Sequence, residues 1–264
     1  MVVFMNYLNI NPVLMAFLAT VFTWLITLLG ASLVFFFKKI NKTILDIMLA
    51  ISSGIMIAAS FWSLILPSLE LADSLGMNKI IIPSIGFLLG GLLIYLTDII
   101  IKKIKKDLSN NKKRCFMLIS SITLHNIPEG LAIGIAFGSI IHNIDGASIS
   151  NAIGLAIGIG IQNFPEGAAV SIPLRCEGFS RSKSFFYGQL SGFVEIISGV
   201  LGALLILKIR FILPFFLTFA AGAMIYVVAS ELIPECETNK SKGLISMCIL
   251  FGFILMMTLD VLLG

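Results

Sequence analysis

The chain has 264 residues, 58% hydrophobic and only 12% charged, with a formal net charge of +4. That balance leaves no room for a soluble domain and makes no case for nucleic acid as a partner. Apolar runs longer than roughly 18 residues instead mark an all-α protein that crosses the membrane several times.

Eight spans are expected, over 11–37, 44–68, 80–102, 115–139, 147–173, 184–207, 211–233 and 243–263, forming one transmembrane transport domain across 1–264. The opening MVVFMNYLNINP lacks the basic region of a cleavable signal peptide, so the first apolar run is expected to be retained. With the N-terminus outside, inner loops collect 15 Lys and Arg residues and outer loops only 3, Lys79, Lys208 and Arg210. The positive-inside rule then puts both termini outside.

The first span carries only small polar residues, Thr20, Thr23, Thr27 and Ser32, and reads as a packing helix. The second contains SSGIMIAASFW, whose small residues let helices approach closely. Met56 lies among them, a soft atom whose commonest role is to fill a core gap. The third span holds Gly90, Gly91 and Asp98, and a Lys-rich stretch follows it. Residues 103–114 of that stretch are expected to form a basic cytoplasmic loop attracted to anionic headgroups. The stretch has no histidine, which argues against a metal-buffering tract.

The fourth and fifth spans contain one device used twice, LHNIPEGLAIGIAFG from Leu124 and IQNFPEGAAVS from Ile161. His125, Asn126, Pro128, Glu129 and Gly130 recur 37 positions later as Gln162, Asn163, Pro165, Glu166 and Gly167. An ionised side chain at membrane depth costs roughly 2.5–3.5 kcal/mol even on the lenient insertion scale, so a carboxylate placed there twice points to function. Residues four apart share a helix face. His125 therefore stands over Glu129, and Gln162 over Glu166, with each Asn about 100° round the helix. Each proline also frees the carbonyl four residues earlier, Leu124 or Ile161. Such backbone at membrane depth is expected to face protein or a polar pathway.

Glu195 lies about eleven residues into the sixth span, near mid-membrane at about 1.5 Å per residue. The seventh span ends in Glu231, Glu235, Cys236 and Glu237, either a metal exit or an ordinary solvated helix end, and Asp260 lies near the outer end of the eighth. The four cysteines, Cys115, Cys176, Cys236 and Cys248, show no CxxC spacing and suggest neither disulfides nor a thiolate zinc site. Gly54, Met56 and Ile57 match Gly222, Met224 and Ile225, while Gly90 and Asp98 match Gly252 and Asp260. These matches suggest an inverted repeat of the kind secondary transporters use.

The buried polar set is thus His125, Asn126, Glu129, Gln162, Asn163, Glu166 and Glu195. Imidazole, carboxylate and amide oxygen suit first-row divalent ions. Three carboxylates without a cation repel one another, and one or two divalent ions would resolve the conflict. Taken singly, His125 or an Asn could be interhelical glue worth about 0.6 kcal/mol, and Glu195 a proton carrier. A membrane metalloenzyme is a competing reading, but a zinc protease is expected to carry H-E-x-x-H. The only two histidines here, His125 and His142, are 17 apart. A metal sensor or proton conductor without net transport is a third.

At these residues the chain resembles the ZIP family of zinc and iron permeases, within it the bacterial zinc-uptake and GufA-like branch. The resemblance rests on HNIPEG, QNFPEG, the Glu in SGFVEIISG and GAMIYVVASELIPE, and runs through nearly the whole chain. It implies a non-enzymatic carrier of divalent metal, Zn2+ first with Fe2+, Mn2+ or Cd2+ as alternatives, into the cytoplasm through a site between the fourth and fifth helices. By that likeness His125, Glu129, Gln162 and Glu166 form one metal position. Asn126, Glu129, Asn163, Glu166 and Glu195 form its neighbour, with Met56 as a further ligand. The resemblance also implies a homodimer, an elevator-like motion of the site-bearing bundle and residence in the cell (inner) membrane. Gln162 departs from the family, where His is common and binds zinc more tightly.

Overall fold

The computed structural model describes residues 11–37, 42–104, 110–140, 148–208, 210–236 and 242–263. Among these the regular structure is all helical, in eight long rods joined by short turns. We label them α1 (Pro12–Phe36), α2 (Lys42–Ala59, continuing through Leu66–Ser74), α3 (Ile81–Ile104), α4 (Asn110–Ser139), α5 (Ile149–Cys176), α6 (Arg181–Lys208), α7 (Leu213–Val227, continuing to Cys236) and α8 (Lys242–Leu263). Among the described residues six are long and apolar enough to cross a membrane: α1, α2, α3, α6, α7 and α8. The other two carry the repeated motifs. In α5, Gln162, Asn163 and Glu166 interrupt the apolar run, so the same residues that mark the site weaken the spanning signal. The protein is a multi-pass membrane protein, and its surface agrees: Leu88, Phe251 and Leu262 are exposed while Asn126, Glu129 and Glu195 are wholly buried.

Helix ends follow local chemistry. The Asn11 side chain accepts from the Val13 N–H beside Pro12 at the start of α1, and Ser148 accepts from the Asn151 N–H at the start of α5. Gly76 and Gly178 take positive φ after α2 and α5. At each, the next residue donates back into the helix, Met77 to Ala72 and Phe179 to Leu174, so orphan carbonyls are satisfied. The second helix therefore runs to Ser74, beyond the expected end at 68. Within the expected loop 103–114, α3 continues to Ile104 and α4 begins at Asn110; residues 105–109 lie outside the described residues.

Two groups of helices emerge from the packing. α1, α4, α5 and α6 pack on one another, chiefly as α4 on α6 and α5 on α1, while α2 packs on α8 and α3 on α7. The second group is built by matched glycines. Gly54 abuts the Ile249 carbonyl and Gly252 the Ile51 carbonyl across α2 and α8; Gly222 abuts the Phe87 carbonyl and Gly90 the Phe219 carbonyl across α7 and α3. Matched too are two π-helical turns, Ser60–Ile65 and Val228–Leu232, each beginning four residues after Met56 or Met224. Pro67 and Pro234 follow them. A proline ring collides with the carbonyl four residues back, here Ser63 or Ser230, and a widened turn relieves that collision.

Candidate metal site

Both motif helices run through their prolines, with Pro128 inside α4 and Pro165 inside α5. Their polar residues meet. Gln162 Nε2 donates to Glu129 Oε1 at 2.5 Å, joining the two motifs side chain to side chain. Asn163 Nδ2 donates to Glu195 Oε1 at 2.8 Å and Oε2 at 2.9 Å, which brings α6 to the same place. The α2 helix reaches it through Ser52, whose hydroxyl donates to the Gln162 carbonyl at 3.3 Å. Met56 lies one turn further along α2 and is fully buried in the core.

The motif glycines have a role that the metal chemistry alone does not reveal. A Cβ on Gly130 would collide with the backbone of Glu195, and one on Gly167 with the Thr27 carbonyl. Each glycine lets its helix lie directly against a partner, α4 on α6 and α5 on α1. The carboxylate one residue earlier is thereby held at the centre of the bundle.

Asn126, Glu129, Gln162, Asn163, Glu166 and Glu195 are all buried, between 0% and 1% exposed. Six of their oxygens have no hydrogen-bond partner among the described residues: Asn126 Oδ1, Glu129 Oε2, Gln162 Oε1, Asn163 Oδ1 and both oxygens of Glu166. Buried polar atoms are otherwise almost always paired, since each orphan costs about 1–3 kcal/mol. Oxygens orphaned together are what a hard or borderline cation would satisfy. The three carboxylates are also close enough for their charges to interact. Among the described residues no three His, Cys, Asp or Glu side chains gather tightly enough to hold an ion by themselves. Amide oxygens would have to complete the set, together with His125, whose side chain lies outside the described residues.

Other expected features separate from this cluster. Glu231 is half-buried and Glu235 exposed at the end of α7, while Cys236 is buried; Glu237 and His142 lie outside the described residues. Cys176, Cys236 and Cys248 are free thiols. Asp260 accepts from the Ser63 hydroxyl at 2.8 Å and lines a cavity with Trp62, Leu217 and residues of both motif helices, Ala136 and Ser139 of α4 and Asn151 and Leu155 of α5. Thr23 went unrecognised as anything but packing, yet it donates to Glu195.

The sequence matches the family model described as "ZIP Zinc transporter" over residues 102–260, well over half of the chain. The chain belongs to the ZIP zinc transporter family. Its ZIP relatives include proteins named zinc transporter ZIP11 from Xenopus tropicalis, 38% identical with 96% of this chain and 98% of the relative covered, and from Homo sapiens, 37% identical over the same shares. The zinc transporter GufA of Myxococcus xanthus is 30% identical over 77% of this chain and 81% of its own length. ZIP membership thus spans animal and bacterial relatives, and the matched region contains both motifs.

Proposed function

We propose that this ZIP protein carries divalent metal across the membrane into the cytoplasm, with Zn2+ as first cargo and Fe2+, Mn2+ and Cd2+ competing for the same donors. The observation that carries the reading is the set of six orphaned buried oxygens on α4 and α5. Two metal positions share Glu129 and Glu166. His125 and Gln162 complete one, with Met56 beside it, and Asn126, Asn163 and Glu195 complete the other. Eight membrane crossings in one transport domain, both termini outside the cell (inner) membrane and a homodimer go with this reading. The matched glycine crossings and π-helical turns support an inverted repeat, in which one helix group carries the site and the other frames it.

The test is zinc accumulation in sealed proteoliposomes, followed by an internal zinc indicator with internal pH recorded. Uptake above that of protein-free liposomes is expected. Equal signals from the two preparations would overturn the reading.

A further inference from the structure

The first helix supplies no carboxylate, imidazole or amide to the site, and its threonines occupy one face. Thr20, Thr23 and Thr27 are all wholly buried. Two of them do what hydroxyls in membrane helices ordinarily do and satisfy a carbonyl of their own helix. Thr20 donates to the Ala16 carbonyl at 2.8 Å, and Thr27 to the Thr23 carbonyl at 3.3 Å. Thr23 differs. Its hydroxyl lies 3.0 Å from the Thr20 carbonyl but 2.5 Å from Glu195 Oε2 on α6. A hydroxyl has one proton to give, and the shorter bond to a carboxylate is the stronger.

The contact is built by the helix crossing. Gly199 lies against the Thr20 methyl, where a Cβ would come within 2.5 Å, and Gly192 against Thr27, where it would come within 2.7 Å of the hydroxyl. Thr20 thus meets Gly199 and Thr27 meets Gly192, so α1 and α6 run antiparallel and Thr23 falls opposite Glu195. Any side chain at either glycine would hold the helices apart and withdraw the hydroxyl. The Asn163 amide completes the arrangement, because Nδ2 donates to both Glu195 oxygens and lies 3.3 Å from the Thr23 carbonyl. With the nitrogen so engaged, Asn163 Oδ1 is left as the atom with no partner among the described residues.

We infer that Thr23 is a positioning residue for the second metal position: its hydroxyl fixes the Glu195 carboxylate, which in turn holds the Asn163 amide with Oδ1 directed to the metal. The inference rests on the metal-transport reading above. Groups that act on a metal through its ligands typically change affinity by 10–100-fold, so the effect belongs to one position and not to the fold.

The experiment is equilibrium dialysis of the full chain in detergent against Zn2+ alone, with bound zinc counted per chain. Wild type is compared with Thr23→Val, Thr23→Ser, Thr20→Val, Glu195→Gln and the double variant Thr23→Val/Glu195→Gln. Thr23→Val is expected to weaken the second zinc about tenfold and leave the first unchanged. Thr23→Ser restores the hydroxyl and the affinity, and Thr20→Val matches wild type. In the Glu195→Gln background, Thr23→Val adds nothing further. Unchanged second-zinc affinity in Thr23→Val, equal weakening of both zincs, or additive losses in the double variant would each overturn the inference. A wild-type chain that takes up zinc into liposomes but binds only one ion overturns this inference and leaves transport standing. A chain that neither binds nor carries zinc removes the transport reading itself.

Discussion

Gln162 Nε2 on α5 donates to Glu129 Oε1 on α4, and this one bond joins the two copies of the repeated motif. It leaves Gln162 Oε1 and Glu129 Oε2 as buried atoms without partners among the described residues. A cation seated between the helices would take up both. Imidazole is a better zinc donor than an amide oxygen, so Gln162→His is expected to tighten zinc binding. Tighter binding need not speed transport, since an ion held too strongly leaves slowly. Calorimetry showing unchanged or weaker zinc affinity would remove Gln162 from direct contact with the metal.

Glu129→Ala and Glu166→Ala are each expected to abolish zinc uptake while the protein still reaches the membrane. Each carboxylate serves both proposed positions and is wholly buried. Glu195→Gln should be milder, because it serves one. Near-normal uptake by either alanine variant, measured in proteoliposomes at matched protein content, would refute the shared-ligand assignment.

Gly167→Ala places a Cβ against the Thr27 carbonyl and 2.8 Å from the Ala31 nitrogen. Those are backbone atoms, so α1 and α5 must move apart. Overpacking of this kind typically costs about 1–3 kcal/mol. A lowered Tm in detergent together with weakened zinc binding is expected, and a variant unchanged in both would show that the close approach is dispensable.

Ser63 donates to Asp260 Oδ1, and Asp260 Oδ2 has no partner among the described residues. Ser63→Ala removes the donor of a part-buried bond and is expected to destabilise the α2–α8 contact by about 0.5–1.5 kcal/mol, the net worth of an ordinary hydrogen bond. Replacing both partners by apolar groups, Ser63→Ala with Asp260→Leu, should recover much of the loss. Thermal unfolding of the three proteins checks this, and a double variant less stable than the single one contradicts it.

Zinc binding should weaken as pH falls from about 8 to about 5, the range in which histidine changes charge. Ligands bind metal in their deprotonated form, so each proton that zinc must displace lowers affinity about tenfold per pH unit below that ligand's pKa. The titration would belong to the cluster of His125, Glu129 and Glu166, not to one residue. A flat affinity profile across that range would mean that metal entry displaces no protons.

The sequence by itself determined the class of protein, the helix positions to within about six residues and the two motifs whose polar side chains meet. Those properties are local. A long apolar run requires a helix wherever it sits, and a carboxylate repeated at mid-membrane carries its cost in any fold. Even the end of α2 was legible, because Gly76 is a stop signal that a reading of hydrophobicity alone passes over. What only the tertiary structure decided was pairing. Which helix each motif glycine lies against, and that α1 supplies a hydroxyl to Glu195, depend on contacts between residues as far apart as Thr23 and Glu195. Thr23 carries no signal to separate it from Thr20 and Thr27, since all three are threonines on one helical face. The antiparallel crossing at Gly192 and Gly199 alone sets its hydroxyl opposite a carboxylate, and no single helix's sequence contains that register.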